Sequence, residues 1–430
     1  MSYNRFSLGR LLSTASMVGS LAASLSLVTV TAQSASAQVY AGGATTPSLV
    51  YQYWFDELGG VYNYASVGSS AGIRSFLDTT TTGGALDPAT LPGDPDTYNN
   101  QGFSNSDGTV AMAASSPPPG LYPYPRVDIG AIDTNLSSFQ IGTVYPGSIG
   151  TRRSLVQVPT VASPVNIAYN RTGLNTAGNP GGVLRLNRQA YCGIFSGRIR
   201  NWNNSTITTS NRGTQVSTNL PIVVVRRSDG SGTTENLTTH LDAVCTPLND
   251  WTIGFGTTVA WPASFLSASG NSGVVSLTTS TSGAGRITYV SPSFVAPIVS
   301  GGLPSARLET QYALTSGVDQ YVGPTITNTA NALLDVTLPA NPTPTDYGTL
   351  SYQMLRPTMS NAYPIIGVTY ILLYGDYSGA PGVSTLIKDF VNYYTTAGTT
   401  ACTLAGVQGF ACFSEAIRAQ IRTTVSAITP

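Results

Sequence analysis

The stretch Ile222-Val223-Val224-Val225-Arg226-Arg227-Ser228-Asp229-Gly230-Ser231-Gly232-Thr233 runs from a β-branched segment into a Gly/Ser turn, and Leu237, Leu241 and Val244 follow at helical spacing. It reads as a strand, a tight turn and a helix. Short β-like runs alternate with helical stretches along the rest of the chain, which predicts an α/β fold on mostly parallel sheets. Two other stretches share the device. In Gly42-Gly43-Ala44-Thr45-Thr46-Pro47, Thr46 suits a helix N-cap and Pro47 the first helical position, with Leu49, Val50, Tyr53, Trp54 and Leu58 behind them. In Gly68-Ser69-Ser70-Ala71-Gly72, the apolar face continues through Ile73, Phe76 and Leu77.

The first turn of a helix has about four N–H groups without intrahelical partners, and the aligned peptide dipoles leave partial positive charge there. An anion is a natural occupant. Glycine allows close backbone approach, and Ser and Thr hydroxyls add donors without a bulky cation. Any single turn of this kind is ordinary capping. Three copies beside Arg227 point to an oxyanion site, because a guanidinium can hold two oxygens of a tetrahedral anion while Asp229 fixes its orientation.

The chain has 430 residues, more than the ~100–200 of one domain, so more than one lobe is expected. Hydrophobic residues make up 41% and charged residues only 9%, which excludes charge-driven disorder. Basic and acidic residues number 20 each and Lys388 is the only lysine, so no basic stripe exists for a nucleic acid.

Residues 1–37 carry Arg5 and Arg10, an apolar, Ser-rich run from Leu11 to Val30, and Ala35-Ser36-Ala37. They read as a signal peptide cleaved after Ala37, and its loss leaves a mildly acidic exported chain. A membrane span is the competing reading. Cys192, Cys245, Cys402 and Cys412 match no zinc spacing, and with a single histidine in the chain disulfides are the better reading. Cys192–Cys245 with Cys402–Cys412 is favoured among three connectivities. Between about 78 and 126 the pattern dissolves into Thr-, Gly- and Pro-rich sequence, read as a long surface insertion.

Gly43-Ala44-Thr45-Thr46-Pro47, Gly68-Ser69-Ser70-Ala71-Gly72, Val127-Asp128-Ile129-Gly130-Ala131-Ile132-Asp133 and Arg227-Ser228-Asp229-Gly230-Ser231-Gly232-Thr233 occur in the order seen in periplasmic phosphate-binding proteins, the receptors of high-affinity phosphate ABC transporters. Gly193-Ile194-Phe195-Ser196-Gly197, Gly270-Asn271-Ser272-Gly273-Val274 and Tyr363-Pro364-Ile365-Ile366-Gly367 extend the resemblance over most of the chain. It implies a two-lobed periplasmic binding protein fold with two mostly parallel sheets flanked by helices and a ligand cleft between the lobes. Lobe 1 would comprise 38–164 and 366–430, and lobe 2 would comprise 165–365. Carried over by motif, phosphate contacts fall on Thr45, Thr46, Ser69 and Asp133 from one lobe and Arg227, Ser231, Gly232 and Thr233 from the other, with Asp229 orienting Arg227. The sequence departs from the family at Thr46, where an aromatic residue is common, and at Ile132, where a small polar residue is usual. The resemblance further implies a periplasmic location, a membrane ABC permease as partner, a monomer, no cofactor and no metal.

These residue types suit phosphate. At neutral pH phosphate still carries hydrogen and sulfate does not, so an ionised Asp133, which only accepts, can select phosphate among many donors. Other oxyanions such as sulfate, arsenate or molybdate are alternative guests, and a secreted scaffold that merely keeps the site is another reading. An enzyme reading also exists. Gly68-Ser69-Ser70-Ala71-Gly72 fits G-x-S-x-G, and Asp133 and His240 follow Ser70 in Ser…Asp…His order. The motif is short in a chain with 45 glycines, and His240 falls on the helix after the Arg227 turn, so no catalytic residue is assigned.

Overall fold

The computed structural model describes residues 37–59, 61–66, 68–77, 103–104, 110–112, 128–136, 155–334, 356–378 and 382–429. The expected signal peptide and most of the expected 78–126 insertion lie outside the described residues.

Strands β1 (Val39–Gly43), β2 (Tyr62–Ser66), β3 (Phe103–Ser104), β4 (Val110–Met112), β5 (Ile129–Ile132), β6 (Leu155–Pro164) and β14 (Ile366–Tyr374) form a seven-stranded sheet in the order β4-β3-β2-β1-β5-β14-β6. A second sheet has the order β10-β9-β11-β7, from β7 (Asn166–Tyr169), β9 (Val223–Arg227), β10 (Leu266–Ala268) and β11 (Arg286–Val290). The third, β13-β12-β8, joins β8 (Arg185–Leu186), β12 (Arg307–Glu309) and β13 (Tyr321–Val322). The helices are α1 (Ser48–Glu57), α2 (Ser69–Leu77), α3 (Arg188–Phe195), α4 (Ser205–Ser210), α5 (Gly232–Cys245), α6 (Gly270–Thr279), α7 (Gln311–Ser316), α8 (Ile326–Ala332), α9 (Val383–Thr395), α10 (Ala401–Val407) and α11 (Glu415–Ser426).

The α/β architecture is the expected one, but the described sheets number three rather than two and are mixed rather than mostly parallel. In the largest, β1 pairs in parallel with β2 and β5, whereas β3 runs against β2 and β14 against both β5 and β6. Parallel neighbours need a crossover such as α1 between β1 and β2. The chain leaves this sheet through β6, builds the other two sheets, and returns along β14 in the opposite direction. Strands β3 and β4, from the stretch read as a structureless insertion, extend the sheet edge.

Strand β14 is buried at every residue, as a continuous apolar run covered on both faces should be. Helix α9 turns Val383, Ile387, Phe390, Val391 and Tyr394 inward, an i, i+4, i+7, i+8 stripe. Against it lies Trp54 of α1, stacked on Tyr394 with centroids 5.3 Å apart, its indole N–H donating to the Ala401 carbonyl at 2.9 Å. This aromatic packing holds α1, and therefore the 44–47 turn before it, in place. Among the described residues no helix is long and apolar enough to cross a membrane.

Cys192 of α3 is bonded to Cys245 at the end of α5, and Cys402 to Cys412, the favoured pairing. Closing a loop with a sequence separation of 53 removes about 4 kcal/mol of unfolded-state entropy in the chain-entropy picture. Replacing Cys192 and Cys245 together by serine is expected to lower the denaturant midpoint clearly while leaving anion binding by the folded fraction intact, which urea titration with and without anion checks.

Candidate functional site

The 44–47 turn, the start of α2 and the 133–134 segment each follow the C-terminal end of a neighbouring parallel strand, β1, β2 and β5. Ligands of α/β sheets collect at that edge. Close backbone packing makes it possible. Gly43 has φ +137, and a Cβ there would lie 2.0 Å from the Ala131 carbonyl oxygen; a Cβ on Gly72 would lie 2.7 Å from Gly43 Cα. Glycine at both positions lets α2 descend onto β1 and brings Ser69 beside Asp133.

Helix α1 starts at Ser48, one residue later than expected, and Pro47 rather than Thr46 occupies the cap without a side-chain bond. The Thr46 hydroxyl is engaged elsewhere, 3.0 Å from that of Thr233. A contact 187 residues distant in sequence thus displaces a local cap. Ser231 does cap α5, accepting from the Thr234 N–H at 3.2 Å, and Leu237, Leu241 and Val244 are buried as the spacing predicts.

The turn before α5 meets the ends of β2 and β5. A Cβ added to Gly232 would lie 2.5 Å from Asp133 Cβ and 2.7 Å from Ser69 Oγ. Asn236 of α5 donates to the Asp133 carbonyl at 2.8 Å, and Asn271 of α6 donates to Thr45 Oγ1 at 3.0 Å. The structure therefore brings together Thr45, Thr46, Ser69 and Asp133 with Gly232 and Thr233, the latter two preceded by the Ser231 cap. Gly232→Val is expected to wedge these turns apart, abolishing anion binding while leaving the far-ultraviolet circular dichroism of the wild type; retained affinity would mean that the close approach is dispensable.

Asp133 is buried, and its carboxylate accepts from Thr369 Oγ1 at 2.9 Å and, at a long 3.5 Å, from Ser69 Oγ. Its own N–H donates to Ser69 Oγ at 3.2 Å. Burial pushes the carboxyl up to about 6, against the opposing pull of Thr46, Thr369, Arg227 and Ser69. Arg227 has a side chain 1% exposed. Its Nε donates to Asp229 Oδ1 at 2.7 Å and its Nη2 to Oδ2, the orienting pair read from the sequence. Burial works to raise Asp229, but the Arg227 bonds and the Gly270 N–H outweigh it and hold the carboxyl below its ordinary value. Arg227 Nη1 is buried and has no hydrogen-bond partner among the described residues. An unsatisfied buried donor of this kind costs about 1–3 kcal/mol, more when charged.

Several contributors escape sequence reasoning. Thr369 lies inside the apolar run of β14 and gives no sign of facing a carboxylate. Tyr289 on β11 accepts from the Arg227 backbone N–H at 3.1 Å. Glu235, in the first turn of α5, is raised to about 7 by burial, with Thr134 pulling it down. Only Asn271 carried a signal, its place in Gly270-Asn271-Ser272-Gly273-Val274. The Ser70, Asp133 and His240 set does not assemble. His240 sits eight residues beyond Gly232, about 12 Å along the helix. Its Nε2 lies 3.1 Å from the Tyr191 hydroxyl of α3. Among the described residues no group of three or more His, Cys, Asp or Glu is placed to hold a metal ion.

The family model described as a PBP superfamily domain matches residues 29–397. This chain belongs to that superfamily. Relatives include a Pseudomonas aeruginosa (strain UCBPP-PA14) protein named alkaline phosphatase L, 30% identical over 399 residues, covering 89% of this chain and 86% of its own. A protein named phosphate-binding protein, from an unknown prokaryotic organism, is 28% identical over 418 residues, covering 90% of this chain and 95% of its own. Among solved structures, a high-affinity periplasmic phosphate-binding protein (PfluDING) bound with phosphate at pH 8.5 superimposes with a TM-score of 0.63 at 25% identity, covering 90% of this chain and 93% of the other.

Proposed function

We propose that this chain is an exported receptor for inorganic phosphate that delivers its guest to a membrane ABC permease. Hydrogen phosphate sits between two lobes, 38–164 with 366–430 and 165–365, against the α2 and α5 N-termini. Ser69, Ser231, Thr233, Thr45 and Thr46 supply hydroxyl or backbone donors, Gly232 a backbone N–H, Arg227 a charged donor, and Asp133 the acceptor for the phosphate hydrogen. The observation that carries this reading is the meeting of the three turns beside a buried Arg227 whose Nη1 lacks a partner. The α/β family, its phosphate-binding relatives and a periplasmic structural neighbour support it. Calorimetric titration of the chain beginning at Gln38 with phosphate, arsenate, molybdate and sulfate tests it. Binding of phosphate with sulfate excluded is expected, and absence of any phosphate heat would overturn it.

A second reading is hydrolysis of phosphate esters, favoured by relatives that carry a phosphatase name. Asp133 is occupied by hydroxyl donors and His240 lies well along α5, next to Tyr191, so the Ser70, Asp133 and His240 set forms no nucleophile–base pair. Release of phosphate from a phosphomonoester that tracks this protein through purification and vanishes in Ser70→Ala would reinstate it.

A further inference from the structure

Asn271 stands second in α6 and is 1% exposed. Its carboxamide is held at both ends: Nδ2 donates to Thr45 Oγ1 at 3.0 Å, and Oδ1 accepts from the Ser291 backbone N–H at 3.2 Å. A backbone N–H can only donate, so it settles which end of the amide faces Thr45. The Thr45 hydroxyl therefore receives a hydrogen bond from Asn271, and its own proton is left to point elsewhere. A hydroxyl that accepts one bond is polarised toward donating the next. Beside it, the Gly270 N–H donates to Asp229 Oδ1 at 3.0 Å, the same oxygen that holds Arg227 Nε. Two consecutive residues at the start of α6 thus brace two groups of the site.

We propose that Asn271 is a positioning residue of the anion site, which sets the Thr45 hydroxyl as a donor to the anion and ties the β1–α1 turn to the α6 end of the second sheet. This rests on the phosphate reading above. Asn271 touches Thr45 and not the anion, so its effect passes through that hydroxyl. Asn271→Asp keeps the shape and replaces the donor with an acceptor. The Thr45 proton then turns toward the new carboxylate and is lost to the anion.

The test is a double-mutant cycle, with inorganic phosphate as the calorimetric probe and the chain beginning at Gln38 throughout. Asn271→Asp is expected to weaken binding roughly 10- to 100-fold, the scale of one lost and one opposed hydrogen bond in a buried site. In a Thr45→Val background the same change should cost no more than about threefold, because its target is gone. The loss should also shrink, relative to wild type, as pH falls and protonation of the introduced carboxyl restores a donor. If Asn271→Asp does not fold, Asn271→Ala enters the same cycle with a smaller expected loss of about three- to tenfold. Equal losses in both backgrounds, with no pH recovery, would make Asn271 a purely structural residue and overturn the proposal. Failure of the wild type to bind phosphate would instead remove the underlying reading and the proposal with it.

Discussion

Arg227→Ala is expected to weaken phosphate binding by roughly 30-fold to several thousandfold, the equivalent of the ~2–5 kcal/mol lost when one partner of a buried, hydrogen-bonded charge pair is truncated. The size follows from the geometry. The guanidinium is almost wholly buried, its Nε and Nη2 are committed to Asp229, and Nη1 alone is left over. A bound anion supplies the partner that this charged N–H lacks. Lys388 is the only lysine in the chain, and the other donors assigned to the site are hydroxyls and peptide N–H groups, so Arg227 is the one charged donor among them. Asp229 would keep the Gly270 N–H but lose its counter-charge, so Arg227→Ala combined with Asp229→Asn separates loss of the ligand contact from loss of stability. The double variant should regain its melting temperature and not its affinity. Arg227→Lys should recover only part of the affinity, since an ammonium cannot hold both Asp229 and an oxyanion in one plane. Calorimetry on the three variants checks this, and wild-type affinity in Arg227→Ala would remove Arg227 from the site.

Asp133→Asn is expected to reduce the preference for phosphate over sulfate by about 5- to 150-fold, from the ~1–3 kcal/mol that separates a satisfied from an unsatisfied buried polar contact. Thr369 donates to Oδ1, so in the variant the amide oxygen stays with Thr369 and the new NH₂ takes the Oδ2 position near Ser69. An acceptor for the phosphate hydrogen becomes a donor that sulfate welcomes. Acid should do the same to the wild type. Burial raises Asp133 to about 6, so the ionised acceptor dominates above that pH and is lost as pH falls through it. Selectivity should therefore narrow between about pH 7 and pH 5 in the wild type and narrow clearly less in Asp133→Asn, where only Glu235 and phosphate itself still titrate in this window, as competition titrations would reveal. The same raised value means that the empty fold is favoured by the protonated carboxyl, and this contribution fades as pH rises through about 6.

Local features of the site were legible in the sequence because local chemistry dictates them. The 222–244 stretch folds as strand, turn and helix since a β-branched run, a Ser N-cap and an apolar stripe all agree. The pairing of Arg227 with Asp229 was readable for the same reason, two residues of opposite charge flanking one turn. Non-local features were not. The direction of β14 depends on where the chain re-enters the sheet, which no residue within it encodes. Thr46 looked like a cap because capping is a local preference, and Thr233 overrode it from the far side of the site. Thr369 and Tyr289 reach the site only through strand register, so their polar groups read as ordinary strand residues.

A crystal structure grown with arsenate in place of phosphate tests the central claim most directly, because the anomalous signal of arsenic locates one tetrahedral anion without ambiguity. The arsenic should lie between the start of α2 and the start of α5, with one oxygen on Arg227 Nη1 and another facing Asp133. An arsenic peak elsewhere, with Arg227 Nη1 still unpaired in a protein that binds phosphate in solution, would contradict the account.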